Sequence, residues 1–252
     1  MDKIRKPFIG VSNIVRFNWH FYVIAFVAIL GLIILRKFYN PSFLFLINII
    51  LGAVFFTIII SLLVSYYVYD YSNLYKLNWL GEDKSVLRIA NIHAGFDETS
   101  ILLAEQYSNA IVEVFDFYNP LQHTEISIKR AREAYPAYKN TKAISTKNMQ
   151  FEENRFDKIF LFLAAHEIRN EEERIQFFDQ IKQSLKPKGR VYVTEHLRDI
   201  PNFIAYNFGF LHFYSKKSWQ NIFEASNFRI EKEIKITQFI STFILCKNGN
   251  TI

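Results

Sequence analysis

Histidines and carboxylates recur in close company along this chain. His93 is followed by Asp97 and Glu98, and His123-x-Glu125, His166-Glu167 and Glu195-His196 are three further groupings. Asp116 and His212 stand alone. An imidazole titrates near neutral pH and a neighbouring carboxylate tunes it, so these groupings suit general acid/base chemistry. The same donor types suit zinc or iron. No H-E-x-x-H or comparable tight ligand spacing is present, so no metal ligand is assigned from the sequence. Taken singly, each residue is equally a helix cap or a partner for a backbone carbonyl. Those three readings stay open at this level.

What gives the groupings weight is where they fall in the pattern of elements. Strand-like apolar runs alternate with helical patterns from "SVLRIANI" through "AIVEVFDF", "KAIST", "RFDKIFLFLAA" and "GRVYVTEH" to "RIEKEIKI" and "FISTFILCK". Strands separated by single helices predict βαβ units and a mostly parallel α/β sheet. The last two runs follow one another with no helix between, which predicts an antiparallel final strand. In this scheme His93, Asp97 and Glu98 follow the first strand and Asp116 ends the second. His166 and Glu167 follow the fourth, and Glu195 and His196 end the fifth. The ends of parallel strands share one edge, where open α/β sheets bind ligands. His123, Glu125 and His212 lie in segments that follow strand ends; His20 is the one histidine outside the scheme.

The N-terminal third is different in kind. "FNWHFYVIAFVAILGLIIL" and "FLFLINIILGAVFFTIIISLLVSYYVY" carry no formal charge, and each is long enough to cross the hydrocarbon layer. These spans, about 17–35 and 43–69, are separated by "RKFYNPS", whose Asn40-Pro41 marks a tight turn. A transmembrane hairpin follows, with residues 1–80 as a membrane unit and 81–252 as the α/β domain. The chain has formal charge +6, and residues 1–42 account for +5 of it. The basic excess therefore reads as a topology signal and an anchor for membrane lipids, with no nucleic-acid partner. Basic residues before the first span and in the turn place both termini and the domain on the cytoplasmic side of the cytoplasmic membrane. One cysteine, Cys246, excludes an intramolecular disulfide.

Two strings carry a family resemblance. "RFDKIFLFLAAHEIRNEEERIQFFDQIKQSLKPKGRVYVTEH" resembles the fourth strand, helix, turn and fifth strand of class I S-adenosylmethionine (SAM)-dependent methyltransferases, and "AIVEVFDFYNP" resembles their second strand. The resemblance covers about residues 85–247 and implies a Rossmann-like sheet with SAM as cofactor. It implies Asp116 as the acid that takes the ribose hydroxyls. It aligns the cofactor loop with "IANIHAGFD", so that Asn91 stands where the family has an acid, His93 and Asp97 replace glycines, and Gly95 is retained. Ser145 aligns with the residue near the adenine amine. It places His166 and Glu167 beside the methyl acceptor, where a base would take the acceptor's proton, with His196 and His212 as further catalytic candidates.

The expectation is thus a membrane-anchored methyltransferase acting on a lipophilic small molecule, with O-methylation ahead of C-methylation. The aromatic-rich "EHLRDIPNFIAYNFGFLHFYSKKSW" after the fifth strand is the expected cover of the acceptor pocket or a membrane-resting surface. Two alternatives stand beside it: a scaffold that keeps the fold without the cofactor, and a metal-dependent enzyme using the His/Glu cluster.

Overall fold

The computed structural model describes residues 5–38, 41–123 and 125–249. Seven strands form one sheet: β1 (Arg88–His93), β2 (Ile111–Asp116), β3 (Lys142–Ala143), β4 (Phe156–Phe162), β5 (Leu185–His196), β6 (Phe228–Thr237) and β7 (Ile240–Lys247). Their order across the sheet is β3-β2-β1-β4-β5-β7-β6. Strands β3 to β5 pair in parallel, while β7 runs antiparallel to both neighbours. The antiparallel final strand is as expected, and it lies between β5 and β6, inside the sheet. Helices α4 (Ser100–Gln106), α5 (Ile126–Ala134), α6 (Glu171–Ser184), α7 (Ile200–Tyr206) and α8 (Lys216–Ala225) connect the strands. Apolar side chains of β1, β4 and β5 pack with Phe177, Phe178, Trp219 and Phe223 from α6 and α8 into the main core.

The helix boundaries follow from local chemistry. Asn170 caps α6 by accepting from the Glu173 N–H at 2.8 Å, and Glu171, Glu172 and Glu173 sit at the positive end of its dipole. The acidic run "EEER" thus needs no further role. Asp199 caps α7 in the same way, through Asn202 N–H at 3.0 Å, and Arg198 donates to the carbonyls of Leu211 and Phe213. The "LKPKG" turn is absorbed into the start of β5, with a register shift against β4 between Phe156 and Lys158.

Three helices precede the sheet: α1 (Ile9–Phe17), α2 (Trp19–Leu35) and α3 (Pro41–Tyr66). The first apolar span does not start as a straight helix at Phe17. The chain bends by 69° between α1 and α2 at Asn18, whose side-chain amide donates to the Ile14 carbonyl at 3.0 Å. Helix α1 then lies on the domain with Gly10, Asn13 and Phe17 buried, an i, i+3, i+7 stripe. Helices α2 and α3 leave most of their apolar side chains exposed, among them Phe21, Ile24, Phe26, Phe45 and Phe56. Phe43–Lys76 is one helical stretch long and apolar enough to cross a membrane; α1 and α2 make a second only if counted together as a bent span. The expected turn residue Asn40 lies outside the described residues.

A π-helical turn, Tyr67–Tyr71, follows α3 directly. Such turns re-aim side chains and recur at functional sites. Here the Asp70 carboxylate accepts from the Gly10 and Val11 N–H groups, both at 2.8 Å, and so holds the start of α1. Gly10 is required by that contact, since a Cβ there would lie 2.5 Å from Tyr69 Cβ. The Tyr135 hydroxyl donates to the Asn13 side-chain oxygen at 2.8 Å and Arg130 to the Phe17 carbonyl at 2.6 Å, which dock α1 of the arm onto the domain.

Candidate active site

The docked arm closes a cavity of about 230 Å³ over the carboxyl edge of the sheet. Its walls come from α1 (Gly10, Asn13, Ile14, Phe17), the turn after α3 (Tyr69, Leu74, Tyr75), the end of β1 and the loop after it (Asn91, His93, Phe96, Glu98) and the segment after β4 (Leu163, Glu167). Leu163 has φ +49°, a left-handed conformation that a branched side chain rarely adopts and that functional segments tolerate. Arg5 joins the walls from the N-terminal side. It bonds Glu98 at 2.5 Å and lies 3.7 Å over the Tyr75 ring, while the Tyr75 hydroxyl donates to the same Glu98 at 2.9 Å.

The loop after β1 is held by its own polar residues. Asp97 accepts from the N–H groups of Thr99 and Ser100 at 2.9 and 3.0 Å and so starts α4. Asn91 is buried and donates to Ser100 and Thr99 at 2.8 and 3.0 Å; its Oδ1 has no partner among the described residues. His93 Nδ1 accepts from Gly95 N–H at 3.2 Å, its Nε2 has no partner among the described residues, and burial pushes its pKa down. Gly95 has φ +97°, and a Cβ there would meet Tyr118, Arg132 and Ile128 at 3.0–3.1 Å. Asp116 pairs with Arg132 and lies 3.7 Å from His93. These last residues line a smaller neighbouring cavity of about 80 Å³ that shares His93 and Phe96 with the first. Ser145 lies in an exposed turn, where Lys147 N–H reaches its hydroxyl at 3.3 Å, and does not line the main cavity.

The other candidates form a chain of alternating carboxylates and imidazoles. Buried Glu195 accepts from His166 Nδ1 at 2.6 Å and from the His166 N–H at 3.2 Å. His166 Nε2 lies 3.2 Å from Glu167, His212 Nε2 lies 3.4 Å from the same Glu167 oxygen, and His212 Nδ1 lies 2.8 Å from Glu125. Burial alone would lower the His166 pKa, but Glu195 and Glu167 outweigh it and raise it to about 10. Burial opposes ionisation of Glu167, yet His166 and His212 hold its carboxyl well below the usual range. Of this chain, Glu167 alone lines the main cavity; His166 stands behind it. Arg169 is engaged with His212, donating to its carbonyl at 2.6 Å.

His196 does not join that chain. Its Nδ1 faces the Asn202 side-chain oxygen at 3.1 Å and the Phe239 carbonyl at 3.0 Å, and its Nε2 meets the Tyr69 hydroxyl at 2.8 Å. Two acceptors on one side fix the proton on Nδ1, so Nε2 accepts from Tyr69. His196 thus touches the cavity only through Tyr69. His123 stays within its loop, accepting from Asn119 N–H at 2.8 Å, and His20 meets Arg130 at 2.8 Å. Arg5, Tyr69 and Tyr75 were not among the residues singled out for the site. The signal that points to this segment was Asp70, a lone acid among tyrosines at the end of an uncharged span.

Burial pushes the His196 pKa from 6.5 down to about 4, with the charge on His166 adding to it. Between those values the unfolded chain binds more protons than the folded one. The neutral ring therefore contributes its full stability above pH 6.5 and loses it as pH falls toward 4. The expected size is about 3 kcal/mol. Melting curves from pH 7 to pH 4 should show a steeper fall for the natural chain than for His196→Gln; parallel curves would refute this assignment.

Residues 106–193 match the model of a methyltransferase domain family, starting at the end of α4 and so leaving out β1 and the loop after it. Among solved structures, a SAM-dependent methyltransferase from Aquifex aeolicus is similar with TM-score 0.50 at 14% identity, over 68% of this chain and 87% of that one. One from Methanosarcina mazei is similar with TM-score 0.50 at 14% identity, over 68% and 97%. A protein from Pyrococcus horikoshii OT3 gives 0.52 at 12% identity, over 71% and 89%. No curated protein sequence matches the chain. Strand order, the antiparallel β7 and these likenesses show that the part of this chain that follows the helical arm has the class I methyltransferase fold, and its residues 106–193 resemble the methyltransferase domain family.

Proposed function

We propose that this protein is a membrane-anchored, SAM-dependent methyltransferase that methylates a hydroxyl of a lipophilic small molecule. The observation that carries the reading is the main cavity: the base of the apolar arm forms one wall, and the sheet edge together with α5 forms the other. Residues 1–80 act as the anchor, with two spans and the domain on the cytoplasmic side, and 81–252 as the catalytic unit. An anchored enzyme meets a lipid-dissolved substrate in two dimensions. The exposed apolar residues Ile200, Phe203, Ile204, Phe208 and Leu211, on and after α7, support a domain resting on the bilayer beside α3.

The residues present fit the cofactor. Among the described residues, the cavity-lining Asn91 Oδ1 is a buried acceptor without a partner, and Arg5 Nε and Nη2 and Asn13 Nδ2 are donors without one. An amino-acid end with one ammonium and one carboxylate satisfies both kinds. Asp116 can take two vicinal ribose hydroxyls once Arg132 releases it. When bound, SAM supplies a methyl group on a sulfonium; in transfer to a hydroxyl the new C–O bond forms as the C–S bond breaks. Glu167, at the cavity wall, accepts the hydroxyl proton as the oxygen turns acidic on methylation. His166, His212 and Glu195 fix the position of that carboxylate.

Calorimetry with the detergent-purified chain and S-adenosylhomocysteine tests the reading, and absence of binding at millimolar concentration overturns it. Two variants should move the affinity in opposite directions. Asp116→Ala removes charge-assisted bonds to the ribose and should weaken binding about 10- to 100-fold. Arg132→Ala removes the competing cation and should tighten it.

A further inference from the structure

The chain of carboxylates and imidazoles has a geometry that proton transfer does not require. His166 Nε2 and His212 Nε2 both face one oxygen of Glu167, at 3.2 and 3.4 Å. A donor atom from each of these three residues lies within 4.8 Å of the others. Bonds of about 2.0–2.1 Å to a tetrahedral ion put neighbouring donors roughly 3.3 Å apart. The two separations, 3.2 and 3.4 Å, match that edge length.

The far side of each ring carries an independent observation. Glu195 meets Nδ1 of His166 at 2.6 Å, and Glu125 meets Nδ1 of His212 at 2.8 Å. A carboxylate on Nδ1 keeps a proton there and aims Nε2 inward, toward Glu167, where an entering ion takes the place of the Nε2 proton. Carboxylate–histidine pairs of this kind orient imidazoles around a metal and raise their basicity. Here both histidines have one, and the two carboxylates come from different elements. The four residues that do this are drawn from β5, the turn after β4, the loop before α5 and the segment after α7.

We propose that His166, His212 and Glu167 together bind one divalent transition-metal ion, with zinc as the first choice for an N₂O donor set, and with an open coordination position toward the main cavity. Glu167 is both a ligand and a cavity wall, which is what gives the open position its direction. An ion there would bind an acceptor hydroxyl and lower its pKa. Arg169 works against it: its guanidinium lies against both ring nitrogens of His212 and 3.9 Å from Glu125, and must move aside for Nε2 to bind an ion.

The inference goes beyond the methyl-transfer reading and its test does not need SAM. The full chain, purified in detergent without a histidine tag and stripped with a chelator, is titrated with zinc by calorimetry and with cobalt(II) by visible absorption. One saturable equivalent per chain and a four- or five-coordinate cobalt spectrum are expected. Glu125→Gln, at a half-exposed position, should weaken binding about 10- to 100-fold with an unchanged circular dichroism spectrum. His212→Gln should weaken it at least as much. Arg169→Ala removes a fixed positive charge and should strengthen binding. A folded chain that takes up no metal, or a His212→Gln chain that binds as well as the natural one, overturns the proposal.

Discussion

Glu167→Gln should lower kcat for methyl transfer by about 10²- to 10⁴-fold, the usual worth of a positioned proton acceptor, and leave S-adenosylhomocysteine affinity unchanged. Glu167 faces the cavity, whereas the unpartnered atoms assigned to the cofactor belong to Arg5, Asn13 and Asn91. The amide is isosteric and still accepts one hydrogen bond, so KM should move little. The low proton affinity that His166 and His212 impose on Glu167 does not defeat the step. An oxygen that has gained a methyl before losing its proton is a far stronger acid than any carboxyl. His166→Gln should cost less than Glu167→Gln, because His166 acts on the cavity through Glu167. A Glu167→Gln chain with natural kcat would remove Glu167 from the chemistry, and a parallel loss of cofactor binding would mean that the variant had disturbed the fold.

The parts of this protein that could be read in advance are those that depend on local periodicity. Alternating strand and helix patterns set the sheet, and strand ends set which residues reach its edge. His166-Glu167 and Glu195-His196 were therefore placeable from their strings alone. Their directions were not. Adjacent residues at a strand end point to opposite sides, so Glu195 turns to His166 while His196 turns to Tyr69. The glycine-loop replacements also became legible only in three dimensions: Asp97 starts α4, and His93 accepts from Gly95 in its own loop. The arm was the hardest part. Its helices announce themselves by length and apolarity, but the contacts of Arg5 with Glu98 and of Asp70 with Gly10 join residues far apart in sequence. Composition suggests an anchor; packing makes it a wall of the site.

Glu195→Ala should destabilise the folded domain by about 3–5 kcal/mol, the range for removing one partner of a buried ionic pair. Glu195 is fully buried at the end of a central strand, and two donors depend on it: the His166 ring at 2.6 Å and the His166 backbone N–H at 3.2 Å. Truncation leaves both without an acceptor in the interior, and Glu167 becomes the only carboxylate still facing that ring. The melting temperature should fall on the order of 10 °C. Glu195→Gln keeps one acceptor oxygen and should lose less. A second substitution, His166→Phe, removes the donor that Glu195→Ala orphans, so the double variant should be more stable than the sum of the single losses predicts. Additive losses would mean that the two side chains do not depend on one another, and an unchanged melting temperature in Glu195→Ala would remove the anchor from which Glu167, and with it that wall of the cavity, is held in place.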